Sequence, residues 1–479
     1  MDKTAPPIAV SLHPGDPRAI EARLDRLPMS REIWRLVALL SLGGFFESYD
    51  IGLTATLPPG LLHAGVFQEA GQTLLGLPDQ AAFAVATFAG LFLGTAGLGQ
   101  VADRLGRRAV FTISLLWYAI STLLMVCQSS PAEIILWRFI GGIGIGLELV
   151  TIDSYIVELV PAGSRGKAFA INQSIQFAAA PLAALLSWLV MPAAPLSIEG
   201  WRWVAAFPAV GAAFVWWIRR SVPESPRWLA ARGDFTNADR IVAAIEARTA
   251  IATPAALPSW TARPRQDAVA ERLGVIFRGA YRKRTVMLVL LNVFQAVGFY
   301  GFNTWLPTLL AAQGIGFVNS LYYTFIIAIV YPIAPLFFTG MADKVERKWL
   351  IVAASIATAV FGLAFSQQSR PLALVVFGVL ITTSTILLSF SYHAYQTELY
   401  PTRIRARAVG FVYSFGRLGI IFANLAVSAL LRSHGPVGVF VFIAASMVIV
   451  AAAVATMGPK TRNVPLDESA TDDHSRTGP

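Results

Sequence analysis

The sequence from Arg138 to Gly166 reads Arg-Phe-Ile-Gly-Gly-Ile-Gly-Ile-Gly-Leu-Glu-Leu-Val-Thr-Ile-Asp-Ser-Tyr-Ile-Val-Glu-Leu-Val-Pro-Ala-Gly-Ser-Arg-Gly. A long apolar run between turn residues predicts a membrane-spanning helix. Gly142, Gly144 and Gly146 recur in this run, and glycines in a membrane helix allow a second backbone to approach closely. The fold is therefore expected to contain tightly packed membrane helices.

The same helix carries ionisable side chains that lipid does not tolerate. They are Arg138, Glu148 and Asp153. Ionisable groups at membrane depth normally face a bundle interior or an aqueous cavity, where they mark a pathway for substrates or ions. The sequence thus predicts that this helix lines the interior of a bundle.

The end of this stretch recurs in the second half of the chain. Glu-Leu-Val-Pro at 158–161 precedes Arg165, and Glu-Leu-Tyr-Pro at 398–401 precedes Arg405. The copies lie 240 residues apart, half of the 479-residue chain. This spacing predicts a duplicated membrane bundle.

Composition agrees with a membrane protein. Hydrophobic residues make up 55% and charged residues 14%, and the mean hydropathy is +0.60, outside the range of an ordinary soluble domain. The net charge is +10, but the basic residues form short clusters between apolar segments, which argues against a nucleic-acid surface and for the positive-inside pattern. The single cysteine, Cys127, excludes a disulfide framework and a cysteine metal site. No metal or cofactor is expected.

Twelve apolar segments have roughly membrane-spanning length. The first six are Ile33–Thr56, Ala81–Val101, Val110–Cys127, Ile134–Val157, Ala168–Val190 and Trp203–Ile218. The second six are Val286–Ala311, Val318–Gly340, Leu350–Phe365, Leu372–Tyr395, Ala408–Leu430 and Val437–Met457. The expected organisation is a tail (1–32), a six-helix bundle (33–218), a linker with short amphipathic helices, one at Ala238–Arg248 (219–284), a second bundle (285–457) and a tail (458–479).

Loop charges predict the orientation. One side of the membrane receives the tails, the linker and most loop cations, namely Arg104, Arg107, Arg108, Arg165, Lys167, Lys344, Arg347, Lys348, Arg403 and Arg405. The opposite side receives Arg202, Arg370 and Arg432. Both termini are therefore expected to be cytoplasmic. The first 32 residues lack the pattern of a signal peptide, so the first membrane helix is expected to direct insertion.

Three loop motifs carry a family resemblance. Gly-Gln-Val-Ala-Asp-Arg-Leu-Gly-Arg-Arg at 99–108 resembles the loop between helices two and three of the major facilitator superfamily, and a degenerate copy occupies 340–348. Pro-Glu-Ser-Pro-Arg-Trp-Leu at 223–229 resembles the sugar-porter branch. The resemblance implies an all-α fold of twelve transmembrane helices in two six-helix bundles, each built of inverted three-helix repeats. The protein is expected to function as a monomer in a bacterial inner membrane.

The loop motifs are expected to gate the transporter without touching substrate. Their charged side chains would form contacts that keep one conformation closed, with Glu158 paired to Arg165. The expected gating residues are Gly99, Asp103, Arg104, Gly106, Arg107, Arg108, Glu158, Arg165, Asp343, Arg347, Glu398 and Arg405.

The first apolar segment carries the candidate proton site. Glu47 and Asp50 lie one helical turn apart, and Thr54 continues the same face. Asp50 resembles the helix-one aspartate of proton-coupled sugar porters, and Arg138 resembles its arginine partner. A buried carboxylate can bind and release a proton near neutral pH, and an arginine favours its charged form. A permanent structural ion pair is the alternative.

The candidate substrate site combines two kinds of resemblance. Gln173 and Gln295 match sugar-contacting glutamines of sugar porters. Tyr300 and His393 replace their asparagine and stacking tryptophan, and the surrounding residues resemble carriers of niacin, other metabolites and aromatic acids. The expected substrate-binding residues are Gln173, Gln295, Phe299, Tyr300, Asn303, Tyr392, His393, Arg417 and Glu148.

Arg417 favours an organic anion over a hexose. It lies in the middle of the eleventh apolar segment, with Tyr413 and Asn424 on its face. A guanidinium in that position suits two-pronged binding of a substrate carboxylate. Pairing with Glu47 or Glu148 is the structural alternative.

The predicted function is proton-coupled uptake of a small organic carboxylate or aromatic acid. A sugar or polyol symporter, an efflux antiporter and a non-transporting sensor are the alternatives. Helix five lacks the Gly-Pro-x-x-Gly-Gly run of antiporters, which favours uptake. No phosphate loop, zinc-ligand spacing or catalytic triad stands out in the sequence, so an enzyme is not expected. The expected partners are lipid, protons and a small molecule, and no nucleic acid.

Overall fold

The computed structural model describes residues 17–68, 71, 74, 76–161, 164–211, 221–252, 273–339, 345–400 and 404–461. The first half contains α1 (Pro17–Asp25), α2 (Arg31–His63), α3 (Asp79–Leu105), α4 (Arg107–Val126), α5 (Pro131–Leu159), α6 (Arg165–Phe177), α7 (Ala179–Val190) and α8 (Gly200–Ala206). The linker contributes α9 (Pro226–Ala231) and α10 (Phe235–Ala252). The second half contains α11 (Gly279–Asn303), α12 (Leu306–Ala312), α13 (Phe317–Ala328), α14 (Val330–Thr339), α15 (Arg347–Ser366), α16 (Pro371–Glu398) and α17 (Arg405–Met457).

The described chain is almost entirely helical, as the sequence predicts for a twelve-helix bundle. Eight stretches of the described residues are long and apolar enough to cross a membrane, and the last of them, Ala408–Met457, contains two of the expected segments. Gly435 is non-helical within α17, at φ 67°, and Pro436 follows it. Apolar side chains such as Phe337 (73% exposed) and Leu372 (76% exposed) form the outer surface, as lipid requires.

Three expected single helices are each divided in two, and a proline explains each break. Proline has no N–H to donate to the carbonyl four residues earlier. The breaks lie between α6 and α7, between α11 and α12, and between α13 and α14. A proline follows each break by two or three residues, namely Pro181, Pro307 and Pro332 in that order. The expected segments Ala168–Val190, Val286–Ala311 and Val318–Gly340 each have spanning length but contain one break.

The backbone contact expected at the glycine run occurs between α3 and α5. A Cβ atom placed at Gly142 would lie 2.5 Å from the carbonyl oxygen of Thr87 in α3. At Gly146 it would overlap the carbonyl oxygen of Leu91, and at Gly144 it would meet the Trp117 ring of α4 instead. Glycine is thus required for the distance between these helices.

Among the described residues, the two halves meet most extensively along three helix pairs. They are α7 with α13, α6 with α14, and α3 with α17. We call the end of the molecule that carries α1, α9 and α10 the basic face, and the other end the opposite face. At the opposite face the halves are in contact: the Gln80 amide donates to Thr308 Oγ1 at 2.6 Å, and the rings of His63 and Phe317 stack at 4.4 Å.

Short helices at the basic face extend beyond the expected amphipathic segment. The helix predicted at Ala238–Arg248 is the middle of α10, and the segment treated as a tail forms α1, which packs against α9 and α10. Arg23 contacts Glu246 at 2.7 Å and also pairs with Asp239. These ion pairs attach the N-terminal segment to the linker.

Candidate functional site

A cavity of about 790 Å³ lies between the two halves. Helices from both halves line it, including α2, α6 and α7 on one side and α11, α16 and α17 on the other. Its walls include Gly166, Phe169 and Thr397, which lie near the basic-face ends of their helices. The cavity therefore extends toward the basic face, while the contacts between the halves close the opposite face.

Most expected substrate-binding residues come together on this cavity. They are Gln173, Gln295, Phe299, Tyr300, Asn303, Tyr392, His393 and Arg417. They were widely separated in sequence, and the packing of α6, α11, α16 and α17 brings them into one volume. Glu47 joins them from α2.

Arg138 forms a dense polar cluster behind the cavity wall. Its Nη1 contacts Asp50 Oδ2 at 2.8 Å, its Nη2 donates to Thr54 Oγ1 at 3.0 Å, and its Nε donates to Thr87 Oγ1 at 2.9 Å. Thr122 Oγ1 donates to Asp50 Oδ1 at 3.4 Å. The pair is almost completely buried, with exposed fractions of 2% and 0%.

The two carboxyl groups of α2 occupy different environments. Asp50 belongs to the Arg138 cluster and is not among the residues that line the cavity, whereas Glu47 lines it. The sequence placed both on one face with Thr54, and Arg138 contacts Asp50 and Thr54. Residues three positions apart differ by about 60° around a helix axis, so Glu47 can face the cavity while Asp50 faces Arg138.

Glu148 lies outside the cavity lining, contrary to its expected position beside substrate. It is fully buried next to α2, and its Oε1 would lie 3.2 Å from a Cβ atom at Gly43. Neither of its carboxyl oxygens accepts a hydrogen bond from the described residues. Its position in the packed interior of the first half gives it no contact with the substrate volume.

Arg417 lies among tyrosines at the cavity wall. Its Nη2 donates to Tyr413 Oη at 3.5 Å, and its Cζ lies 5.1 Å from the centroid of the Tyr413 ring. Its Nε has no hydrogen-bond partner among the described residues. No described carboxylate forms an ion pair with it, although Glu47 interacts with it electrostatically across the cavity. The close structural pair with Glu47 or Glu148 that the sequence left open is therefore not formed in this conformation.

Amides and a histidine complete the lining. Gln176, which the sequence did not single out, lines the cavity beside Gln173, and its Nε2 donates to Asn172 Oδ1 at 3.1 Å. Gly44 lies beneath it, because a Cβ atom there would be 2.7 Å from Gln176 Nε2. The His393 ring packs against Tyr392 at 4.1 Å. The i, i+3 spacing of Gln173 and Gln176 was the available signal.

The basic face shows a pairing different from the one expected for Glu158. Glu158 Oε1 contacts Arg107 Nη2 at 3.0 Å rather than Arg165. The second half repeats this arrangement, because Arg347 pairs with Glu398. Arg165 instead contacts Asp25 of α1 at 3.5 Å. The sequence repeat thus singles out residues that do form ion pairs. The partner of Glu158, however, is Arg107 at the start of α4 and not Arg165 at the start of α6.

Glu224, at the same face, was not singled out from the sequence. Its Oε1 accepts from the backbone N–H groups of Arg107 at 3.0 Å and Arg108 at 3.2 Å. Gly106 precedes them at φ 95°, a conformation that favours glycine. Glu224 therefore caps α4 with the charge that a helix N-terminus prefers. Its position within Pro-Glu-Ser-Pro was the available signal.

The remaining gating predictions fall partly outside the described residues. Asp343 lies outside the described ranges, and nothing is described of the environments of Gly99, Asp103 and Arg405. The Arg104 side chain is exposed. The roles of these residues stay predictions.

Comparison with known proteins agrees with this architecture. The family model described as sugar (and other) transporter matches residues 36–472. The putative metabolite transport protein YdjK of Escherichia coli is 30% identical over 94% of this chain and 97% of its own length. The niacin transporter NiaP of Acinetobacter baylyi is 27% identical over 93% and 98%.

The fold also matches solved structures. The xylose transporter XylE of E. coli, in a partially occluded inward-open conformation, gives a TM-score of 0.72 at 22% identity and covers 91% of this chain and 100% of its own. The crystal structure of a D-xylose-proton symporter gives a TM-score of 0.71 at 22% identity over 90% and 99%. At this identity the likeness supports the fold alone.

Proposed function

Because this chain belongs to the sugar (and other) transporter family of the major facilitator superfamily, we propose that it carries a small aromatic or pyridine-type carboxylate together with protons. Transport proceeds by alternating access of the central cavity to the two sides of the membrane. The basic face is cytoplasmic in the bacterial inner membrane, and the protein works as a monomer.

Arg417 is the observation that supports this substrate class. A buried guanidinium with no ion pair is costly, and a ligand that supplies a carboxylate would offset that cost. Its unpartnered Nε and its Nη groups are donors that a carboxylate can bind. Phe299, Tyr300 and Tyr392 line the same cavity and offer aromatic faces to a flat ring.

Asp50 is the proposed coupling acid. When it is charged, Arg138 is satisfied by Asp50, Thr54 and Thr87. Protonation would remove one charge of the pair and weaken these contacts, which would free α2 to move relative to α5. A buried ion pair contributes little net stability, because the free energy of desolvating both charges offsets their attraction. This favours a switching role for the pair over a permanent structural one.

A sugar or polyol is the second candidate substrate, and the amide side chains of the cavity support it. Gln173, Gln176, Gln295 and Asn303 line the cavity and could bind hydroxyl groups. The Asn303 amide already donates one N–H to the carbonyl of Phe299 at 2.8 Å, which leaves its second N–H and its oxygen for a ligand.

Direct binding to detergent-purified protein separates the candidates. We expect benzoate and nicotinate to raise the melting temperature in a concentration-dependent way, and their methyl ester and amide counterparts to do so poorly. Xylose and glucose are the matched neutral ligands. Stabilisation by the sugars with no effect of either carboxylate would replace the proposal with the sugar candidate.

Transport is tested in proteoliposomes. Uptake of the stabilising carboxylate should exceed equilibrium when the interior is more alkaline than the exterior. Collapse of the proton gradient should reduce uptake to equilibration. Accumulation that persists without the gradient would contradict proton coupling.

A further inference from the structure

His393 is placed to bind a proton at one defined atom. Its Nδ1 lies 2.7 Å from the carbonyl oxygen of Ser389. A carbonyl oxygen only accepts, so Nδ1 carries the proton of the neutral ring. The other nitrogen, Nε2, lies 3.3 Å from Tyr392 Oη and accepts from that hydroxyl. The neutral imidazole therefore has a fixed tautomer, and Nε2 is where a second proton would bind.

The imidazole faces the cavity through which substrate and water pass. His393 is exposed, and it lines the cavity together with Tyr413 and Arg417. A proton can thus reach Nε2 from cavity water when the Tyr392 hydroxyl rotates away. The Nδ1 bond to Ser389 persists in either protonation state, because that nitrogen donates in both.

Arg417 lies close enough to influence this proton. The His393 and Tyr413 ring centroids are 5.5 Å apart, and Arg417 Cζ is 5.1 Å from the Tyr413 centroid. A guanidinium at this range disfavours a second positive charge on the imidazole. A carboxylate that binds Arg417 would cancel this repulsion.

The other groups around the imidazole do not replace that effect. Tyr392 of its own helix contributes a hydroxyl group and Tyr413 of α17 an aromatic ring. Tyr300 reaches the cavity from α11, and Glu47 reaches it from α2 across the site. Arg417 is thus the one permanently charged cation among the described residues that line the cavity.

We propose that His393 takes up a proton at Nε2 when a substrate carboxylate binds Arg417, and releases it when the substrate leaves. The site is additional to Asp50, which lies in the other half and outside the cavity lining. The proton comes from water and returns to water, so no other reactant is needed. The inference rests on the proposed carboxylate specificity, and it makes proton and carboxylate binding mutually cooperative.

The first test counts protons. Benzoate is titrated calorimetrically into purified wild-type protein at pH 7 in two buffers of different ionisation enthalpy. We expect net proton uptake by the protein on binding, and we expect it to persist in Asp50→Asn. The affinity should increase as the pH falls, by at most about tenfold per pH unit for one linked proton.

Two variants assign the proton to His393. His393→Gln should abolish the proton uptake and the pH dependence of benzoate affinity. His434→Gln, which replaces an exposed histidine between the eleventh and twelfth segments, should retain both. Tyr392→Phe removes the hydroxyl that donates to Nε2, so it should move the midpoint of the pH dependence upward. This variant also tests the site if His393→Gln does not fold.

The outcomes distinguish the two proposals. Absence of benzoate and nicotinate binding in wild type would overturn both. Binding without proton uptake, or with uptake that survives His393→Gln, would overturn the histidine site and leave carboxylate specificity intact. A Tyr392→Phe midpoint equal to that of wild type would also contradict it.

Discussion

At the scale of single residues, the two buried arginines differ in what satisfies them. Arg138 donates to Asp50, Thr54 and Thr87 within its own half, whereas Arg417 has a weak contact with Tyr413 and an unpartnered Nε. A charge that the protein satisfies can serve as a switch, and one that it leaves unsatisfied can serve as a binding site.

Asp50→Asn should abolish proton-driven accumulation and retain exchange of substrate across the membrane. The amide oxygen still accepts from Arg138 and resembles the protonated acid, so the conformational cycle continues without coupling. Counterflow and gradient-driven uptake in proteoliposomes measure the two activities. Glu133→Gln is the control, because Glu133 is exposed at the start of α5. Gradient-driven accumulation at the wild-type level in Asp50→Asn would rule out this role.

Arg417→Lys should weaken carboxylate binding, because a point charge does not reproduce the planar two-pronged donor. Loss of one charged hydrogen-bonding partner in a dry site costs about 2–5 kcal/mol, several hundredfold in affinity at mid-range. Calorimetric titration with benzoate and methyl benzoate measures the affinity and the acid-over-ester preference. Arg370→Lys, at an exposed position, is the control. A folded Arg417→Lys protein that keeps the preference would remove the carboxylate clamp.

At the scale of helices, close packing and end contacts set the geometry of the first half. Gly142 and Gly146 bring α5 against the backbone of α3, and this contact positions Arg138 one turn away to reach Thr87. Ion pairs at the basic face attach α1 to α10. Both features lead to a test with a matched control.

Gly146→Ala should destabilise the protein, because the added methyl group would overlap the carbonyl oxygen of Leu91 and force α3 and α5 apart. Overpacking of this kind typically costs about 1–3 kcal/mol. Gly410→Ala is the control, since no atom lies within 4 Å of a Cβ there. Thermal unfolding in detergent should show a lower melting temperature for Gly146→Ala alone. Equal melting temperatures would mean that the helices can separate without cost.

The contact between α1 and α10 should weaken in acid. Burial raises the pKa of Glu246, but hydrogen bonds from Arg23 and Arg26 outweigh burial and bring the pKa below its ordinary value of 4.5. A lowered folded-state pKa means that the stabilisation is present above pH 4.5 and is lost as the pH falls through the folded-state pKa.

Amide hydrogen exchange of α1 measures this contact. Protection should be retained at pH 5 and decrease below pH 4.5. Glu246→Gln should reduce protection at pH 7, and Asp239→Asn should have a smaller effect because Asp239 is 59% exposed. A larger effect of Asp239→Asn would show that the exposed pair dominates.

At the scale of the whole molecule, the two halves are in contact at the opposite face and the cavity extends toward the basic face. Trp188 of α7 lies 4.8 Å from the Tyr322 ring of α13, and Gln80 binds Thr308. Under the proposed alternating-access mechanism, this arrangement is one end state of the cycle. Movement to the other end state requires these contacts to separate.

A covalent bridge across the opposite face should therefore stop transport. Gln80→Cys combined with Thr308→Cys, in a Cys127→Ser background, would be linked by a short bismaleimide. We expect loss of benzoate uptake with retention of benzoate binding from the basic face, because the cavity stays accessible from that side. Each single-cysteine variant treated with the same reagent is the control. Uptake that continues after complete linkage would exclude separation at this face.

The amino-acid sequence by itself determined the class of fold and most of the residues that line the cavity. Twelve apolar segments and two loop motifs repeated at a 240-residue interval were sufficient for the duplicated bundle, because bilayer thickness sets the length of a spanning helix regardless of its neighbours. Arg138 and Arg417 stood out since a charge inside an apolar segment requires a partner.

Only the tertiary structure decided which of those residues meet. Glu148 and Glu47 look alike in sequence, but one is packed against Gly43 and the other lines the cavity. Glu158 binds Arg107 instead of Arg165, and Asp25 of the N-terminal segment contacts Arg165. Which face of a helix meets substrate, and which arginine lies nearest a carboxylate, depend on helix rotation and crossing. Helix rotation and crossing are both determined by contacts between segments far apart in the chain, so a local sequence pattern does not predict them.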